Sequence, residues 1–289
     1  MKVGIVGTGL MGSGLAKRLA KVGYEVHVWN RTKEKALKLT DFGVKVEDTL
    51  RDLVNEVSTI HIFVSDDEAV REVVYGKGGI LEAISPGKLV INHSTVTPLL
   101  NVELYNTFKS KGVDFLECPV LGSWPEAEEG KLDSLVGGEP KTFEKYEELL
   151  RSFSRIVFYV GEVGKASALK LATNLMLFNI ALSLSEALSL AEVWGVEPNK
   201  VLDYFSRTWL KAVAERYGRR LLREEQIVRF RLILAAKDLS YATSSARIKG
   251  QPMPLTSTSA QVYLEAAANG FSEEDYSRIY YFIRRRAGR

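Results

Sequence analysis

Lys2-Val-Gly-Ile-Val6-Gly7-Thr8-Gly9-Leu10-Met11-Gly12 stands at the head of the chain, and its reading decides the fold. Residues 2 to 6 form a short apolar run of the kind found in a strand buried on both faces. The run breaks into Gly-x-Gly-x-x-Gly and then into the helical pattern Ser13 to Val22, so the glycines stand between strand and helix. Each glycine has a separate task. Gly7 permits the tight turn, Gly9 lets the backbone approach a pyrophosphate, and Gly12 lets the helix pack closely on the strand. The helix N-terminus then offers free N–H groups and a partial positive charge to phosphates. Gly7, Thr8, Gly9, Leu10, Met11 and Gly12 are therefore the first candidate cofactor contacts.

The second strand, Glu25 to Trp29, ends in Asn30-Arg31-Thr32 rather than in an acid. An acid at this point would hold the ribose 2′-hydroxyl of NAD; a neutral Asn followed by Arg suits the 2′-phosphate of NADP, which a guanidinium binds through two parallel hydrogen bonds. The residues also allow Arg31 simply to begin the next helix, and NAD stays open as the cofactor.

Strand and helix patterns alternate from there. Strands are expected at Val44 to Val46, Thr59 to Val64, Lys88 to Asn92, Val113 to Glu117, Leu132 to Val136 and Arg155 to Val160. Helices are expected at Asp48 to Val54, Pro98 to Ser110 and Thr142 to Phe153. This pattern predicts an α/β domain with a doubly wound sheet of the Rossmann type. Ligands of such sheets sit at the carboxyl ends of strands, which makes Val64, Ser65, Ser94, Thr95, Gly122 and Ser123 candidate site residues.

Beyond Gly161-Glu-Val-Gly164 the chain carries no Gly or Pro until Gly195, and it is rich in Ala, Leu and Ser. This reads as one long helix, so apolar that most of its circumference should be covered by protein. Lys170 and Asn174 stand four apart on it, one turn above the other. Two readings stand side by side: a lysine that snorkels to water beside an amide that caps a loop, or a proton-transferring lysine beside an amide that orients the reacting group. No strand pattern follows. Helices are expected at Pro198 to Arg207, Ala212 to Glu224, Val228 to Lys249, Ser257 to Asn269 and Glu273 to Arg286. The chain thus divides into a sheet domain, 1–162, and an all-helical domain, 163–289.

Composition bounds the function. The 289 residues are 46% hydrophobic and 26% charged, ordinary for a globular chain with two cores, and a net charge of +3 points to neither nucleic acid nor membrane. The basic run Arg216, Arg219, Arg220, Arg223, Arg229 and Arg231 is interleaved with Glu215, Glu224 and Glu225, which predicts a solvated or subunit-facing surface. A single cysteine, Cys118, excludes an intramolecular disulfide and a Cys-based metal site, and the scattered His27, His61 and His93 make no ligand cluster. No metal is expected. With neither a signal-peptide pattern nor an uninterrupted apolar span long enough for a membrane, the expected location is the cytoplasm.

The chain resembles the β-hydroxyacid dehydrogenase family along essentially its whole length. Gly7-x-Gly9-x-Met11-Gly12, Ser94-Thr95-x-x-Pro98, Pro119-x-x-Gly122, Gly161-x-x-Gly164 leading into Lys170 and Asn174, and Lys237-Asp238-Leu239 carry the likeness. The resemblance implies hydride transfer between a nicotinamide and a small 3-hydroxy acid or its semialdehyde. It implies Lys170 as general acid/base and Asn174 as its orienting partner. Thr95 and Lys237 would lie near the nicotinamide ribose, and Ser94, Gly122 and Ser123 would border the substrate. Burial of Lys170 should lower its pKa toward working pH.

One departure bears on the substrate. The family commonly shows Ser-Gly-Gly after Pro-Val, where this chain has Leu121-Gly122-Ser123, so an apolar side chain replaces a hydroxyl that usually meets the substrate carboxylate and Ser123 is left to compensate. The segment Trp124 to Gly130 is similar to the loop of glyoxylate and succinic semialdehyde reductases, which favours aldehyde reduction. Serine-type 3-hydroxy acids remain alternatives, and the retained Lys170 speaks against an imine reductase. A catalytically silent NADP-binding interaction protein on the same fold is the non-enzyme alternative; it would be expected to lose the lysine. A homodimer or homotetramer is expected, because so apolar a long helix is hard to cover with one chain.

Overall fold

Nine short strands form one sheet: β1 (Lys2–Val6), β2 (Glu25–Trp29), β3 (Lys45–Val46), β4 (Thr59–Ile62), β5 (Leu89–Asn92), β6 (Asp114–Glu117), β7 (Val120–Leu121), β8 (Leu132–Gly138) and β9 (Ser154–Gly161). In this computed structural model, which describes residues 1–222 and 227–288, the strands lie in the order β3-β2-β1-β4-β5-β6-β8-β7, with β9 paired to β8. Strands β1 to β6 are parallel and β8 runs antiparallel to β6. The winding reverses between β1 and β4, so the carboxyl ends of those two strands flank the place where a doubly wound sheet takes its ligand.

Helices α1 (Leu10–Lys21), α2 (Lys33–Leu37), α3 (Leu50–Glu56), α4 (Asp67–Tyr75), α5 (Ile80–Ala83), α6 (Pro98–Ser110), α7 (Trp124–Glu129) and α8 (Pro140–Arg151) cover the sheet. Two apolar layers result. Leu15 and Leu19 of α1 and Leu149 and Leu150 of α8 pack with Val3, Ile5 and Leu116. Leu53 of α3, Val70 of α4 and Leu104 of α6 pack with Ile60, Val90 and Phe115. Each such fully buried side chain contributes about 1.5–3 kcal/mol relative to exposure, which is why central strands tolerate little polarity.

Boundaries follow local chemistry. The helix expected from Asp48 begins after Thr49, whose hydroxyl and the Asp52 carboxylate form a reciprocal capping box. Pro98 takes the first position of α6, where its missing N–H costs nothing. Helices α4, α5 and α7 were not legible as such, the last with Pro125 in its first turn.

The chain separates into two compact units, Met1–Lys170 and Leu171–Arg289. Helix α9 (Lys165–Val193) belongs to both, and its 29 residues match the long helix expected after Gly164. The single chain covers it in part. Buried residues recur as Ala166, Lys170, Asn174, Phe178, Ala181 and Leu188, while Met176 is 57% and Leu190 64% exposed. Protein covers one stripe of the helix, at the 3.6-residue period, and the opposite apolar stripe faces outward in the single chain. By length and hydropathy α9 could also span a bilayer, a test that core helices of globular proteins pass as well.

The second unit continues with α10 (Pro198–Ser206), α11 (Lys211–Val213), α12 (Arg219–Leu221), α13 (Leu232–Ile248), α14 (Pro254–Ala266) and α15 (Ile279–Arg286). Among its described residues the only β pairing is the isolated bridge between Arg231 and Asp275. The single helix expected from Ala212 to Glu224 is broken by a π-helical turn, Ala214–Gly218, which turns Tyr217 into the core. Glu224, Glu225 and Arg223 lie outside the described residues.

The basic run needs a correction at Arg220. Its guanidinium is bound through Nε and Nη2 to buried Asp275, at 3.0 and 2.7 Å. The same carboxylate accepts the backbone N–H groups of Arg229 and Phe230. Those N–H groups are thereby held out of a helix, so α13 starts at Leu232 rather than at Val228. Asp275 also caps the short turn Tyr276–Arg278, which delays α15 past the expected Glu273.

Candidate active site

The glycine turn after β1 is shaped by what a side chain would strike. Gly7 adopts φ +98°, and a Cβ there would lie 2.1 Å from the Phe63 carbonyl oxygen. A Cβ on Gly12 would lie 2.0 Å from the Gly7 carbonyl oxygen. At Gly9 a Cβ would meet nothing within 4 Å, so the space above the middle of the turn is open. Gly7 and Gly12 are thus required by the protein itself, and Gly9 leaves room for something else.

Around this opening polar groups hold the turn in place. Asn30 accepts the Thr8 N–H at 2.9 Å and donates to the Thr32 carbonyl at 2.8 Å, tying the turn to the end of β2. Buried Thr8 Oγ1 has no hydrogen-bond partner among the described residues. The first turn of α1, which begins at Leu10 and Met11, contains no acid to repel a phosphate. Arg31 is 80% exposed and pairs with Glu72 at 3.2 Å. These residues fit a dinucleotide: the turn and helix end would hold the pyrophosphate and Arg31 would stand at the ribose end.

The end of β4 meets the end of β5 through Val64, whose N–H donates to Ser94 Oγ at 3.0 Å. Ser94 is buried, and its N–H is held by Asn92 Oδ1 at 3.1 Å. Thr95 beside it is partly exposed. Behind them sit two buried imidazoles. His93 Nδ1 faces the Cys118 carbonyl at 2.8 Å and so carries a proton; its Nε2 then accepts from His61 Nδ1 at 2.9 Å. His61 Nε2 is left as an acceptor without a donor among the described residues. Burial holds both rings below the usual histidine range, His93 at about 4. Cys118, also buried, has its thiol pushed up to about 12 by burial.

At the end of β7, Leu121 is partly buried and Gly122 adopts φ +117°. The Ser123 N–H and hydroxyl both donate to Glu126 Oε2, at 2.9 and 2.7 Å, so this hydroxyl is engaged at the start of α7.

Lys170 is buried, 7% exposed, and Asn174 follows it one turn on along α9. In the second unit the Asn174 amide donates to Asp238 Oδ2 at 2.6 Å, and Lys237 Nζ stands 3.1 Å from Asp238 Oδ1. The Lys237 ammonium also lies 4.9 Å from the centre of the Tyr241 ring. Sequence reasoning named Lys237 and passed over the role of Asp238, although an acid beside a cation on a buried helix face signals a partner nearby. It also passed over Glu117, fully buried at the end of β6, where it accepts from Gly164, Ala166 and Ser167. Among the described residues no group of three or more His, Cys, Asp or Glu is placed to hold a metal ion.

Two family models account for nearly the whole chain. The NAD binding domain of 6-phosphogluconate dehydrogenase matches residues 2–161, and the NAD-binding domain of NADP-dependent 3-hydroxyisobutyrate dehydrogenase matches residues 164–283. The chain belongs to the β-hydroxyacid dehydrogenase family. As a member of it, the protein is an NAD(P)-dependent dehydrogenase.

Relatives of this β-hydroxyacid dehydrogenase differ in what they are named for. It is 31% identical to glyoxylate/succinic semialdehyde reductase 2, chloroplastic, of Arabidopsis thaliana, over 96% of this chain and 78% of that protein. It is equally 31% identical, over 96% of this chain, to the cytokine-like nuclear factor N-PAC of Homo sapiens, of which it spans 51%. The 3-hydroxyisobutyrate dehydrogenase of Mycobacterium tuberculosis, solved with L-serine, shares the fold with a TM-score of 0.88 at 23% identity, over 98% of this chain and 99% of that one.

Proposed function

We propose that this dehydrogenase is an NADP-preferring enzyme of small 3-hydroxy acids or their semialdehydes, acting with Lys170 as general acid/base and Asn174 as its orienting partner. The observation that carries this reading is the burial of Lys170 on α9, one turn from an amide that is itself anchored to Asp238. A cation is kept out of water at this cost only where it has work or partners.

The nicotinamide, when bound, supplies or accepts the hydride. In the reducing direction the Lys170 ammonium gives its proton to the oxygen of the forming alkoxide and stabilises negative charge there as it develops. In the oxidising direction the neutral amine takes the hydroxyl proton. Asn174, its amide nitrogen committed to Asp238, keeps a carbonyl oxygen with which to orient the reacting group. Thr95 and Lys237 are assigned to the nicotinamide ribose, and Ser94, Gly122 and Ser123 to the substrate. Leu121, where the family commonly has serine, bears on which substrate is held, while the segment Trp124 to Gly130 favours aldehyde reduction.

Absorbance of NADPH with a panel of small aldehydes, set against NADP+ with a panel of 3-hydroxy acids, tests the substrate class. Lys170→Met tests the chemistry: it should lower kcat by a factor on the order of 10² to 10⁴, the usual worth of a positioned acid/base. Wild-type kcat in that variant would remove Lys170 from the mechanism.

A silent dinucleotide-binding interaction protein is the second reading, favoured by the likeness to N-PAC. The lysine retained at position 170 weighs against it, and an inactive chain across both substrate panels would reinstate it. We further propose a cytoplasmic homodimer or homotetramer, for which the outward apolar stripe of α9 with Met176 and Leu190 supplies a surface. Sedimentation as a monomer at micromolar concentration would contradict the assembly.

A further inference from the structure

Helix α9 takes its start from another element. Gly164 precedes it with φ +97° and has no side chain with which to cap the helix. The cap comes instead from Glu117 at the end of β6, whose Oε1 accepts from Gly164 N at 2.7 Å and Ala166 N at 2.9 Å. Its Oε2 accepts from Ser167 N at 3.2 Å, Ser167 Oγ at 2.7 Å and Asn101 Nδ2 at 2.8 Å. Five donors on one buried carboxylate, at the positive end of a helix, make a strong and directional clamp.

Room for this carboxylate is built into the sheet. Glu117 pairs with Gly137 across β6 and β8, and a Cβ on Gly137 would lie 2.3 Å from Glu117 Oε1. From Asn101 the bonds continue: Asn92 Nδ2 donates to Asn101 Oδ1 at 2.8 Å, and Asn92 Oδ1 receives the Ser94 N–H. One buried chain of hydrogen bonds therefore runs from Ser94 through Asn92, Asn101 and Glu117 to Ser167, three residues before Lys170.

From this connection we propose that Glu117 is a positioning residue for the reaction, fixing the turn of α9 that carries Lys170 against the Ser94–Thr95 turn at the end of β5. The proposal rests on the reading of Lys170 as the acid/base. A carboxylate suits the task because it accepts at every site and donates at none; an amide at the same place would turn an NH2 toward one of the five donors. Mispairing at that point displaces the first turn of α9, and a displacement of about 1 Å at a reacting group can cost on the order of 10² in rate.

The experiment is a double-mutant cycle between Glu117→Gln and Lys170→Met, with kcat expressed per folded molecule from circular dichroism, alongside dinucleotide affinity from fluorescence titration. The expected result is a kcat for Glu117→Gln lower by about tenfold or more, dinucleotide affinity within about twofold, and a larger solvent deuterium isotope effect as proton delivery becomes limiting. In the Lys170→Met background the same change should cost no further kcat, because Glu117 acts through Lys170. Should Glu117→Gln fail to fold, Ser167→Ala, which removes one donor and leaves the backbone bonds, serves in its place with a smaller loss of the same kind. Unchanged kcat and isotope effect, or an equal loss with and without Lys170, overturns the positioning role while leaving the acid/base reading intact. Wild-type activity in Lys170→Met alone would overturn both.

Discussion

The Asn174 amide and the Asp238 carboxylate meet at 2.6 Å, and this bond settles which end of the amide is which: nitrogen toward Asp238, carbonyl oxygen away from it. Asp238→Asn offers an acceptor and a donor at the same place, so the amide of Asn174 can turn over. The expected outcome is a kcat lower by roughly ten- to a hundredfold, with dinucleotide affinity little changed. Steady-state kinetics beside equilibrium binding checks it, and unaltered kcat would detach Asp238 from the chemistry.

Gly9 and Gly12 should separate binding from folding. Gly9→Val fills open space, so the melting temperature of the free protein should stay within a few degrees while dinucleotide affinity falls by an order of magnitude or more. Gly12→Ala drives a methyl group into the Gly7 carbonyl and should cost about 1–3 kcal/mol of stability as well. Calorimetry with and without dinucleotide distinguishes the two, and equal effects on both properties would contradict the assignment.

Arg31 carries the cofactor preference in the proposed function. Its exposed pair with Glu72 is worth no more than about 1 kcal/mol, so releasing it to a 2′-phosphate costs little. Arg31→Ala should weaken NADPH binding about tenfold and leave NADH unaffected. Parallel titrations decide, and equal loss for both would assign Arg31 to the scaffold.

The imidazole pair makes folding sensitive to acid. His93 titrates at about 4 when folded, against 6.5 when exposed, so the unfolded chain takes up more protons between those values. Stability is full above about pH 6.5 and declines as pH falls toward about 4, by ~3 kcal/mol from His93 with His61 acting in the same direction. Urea unfolding at about pH 7 and about pH 5 measures the slope. A flat profile over that interval would show that the rings are not neutral and buried.

Much of the first unit was legible because buried parallel strands announce themselves as unbroken runs of Val, Ile and Leu, and because Pro98 marks its own helix start. The glycine turn was legible too, with Gly7 at positive φ and Gly12 set hard against it. Helix α7 was not, since Trp124 and Pro125 look like a loop until the capping carboxylate of Glu126 is placed on Ser123. The long helix was legible, but not how its cover is shared: apolarity says which surface dislikes water, and says nothing of how much of it one chain can reach. Glu117 escaped notice because four of the five donors it accepts from lie 47 to 50 residues away at the head of α9. The sign that could have found it is a glycine pair inside a strand, Gly137-Gly138, which makes sense only if a large side chain needs that room.

Cys118 lies sealed at the end of β6 with its thiol held far from ionisation. Alkylating and maleimide reagents, which attack the thiolate, should therefore pass the native protein by until it unfolds. A cysteine introduced at an exposed position away from the outer stripe of α9, at Trp209 for instance, would then be the sole point of attachment for a dye or spin label, and the movements of the second unit could be followed in solution.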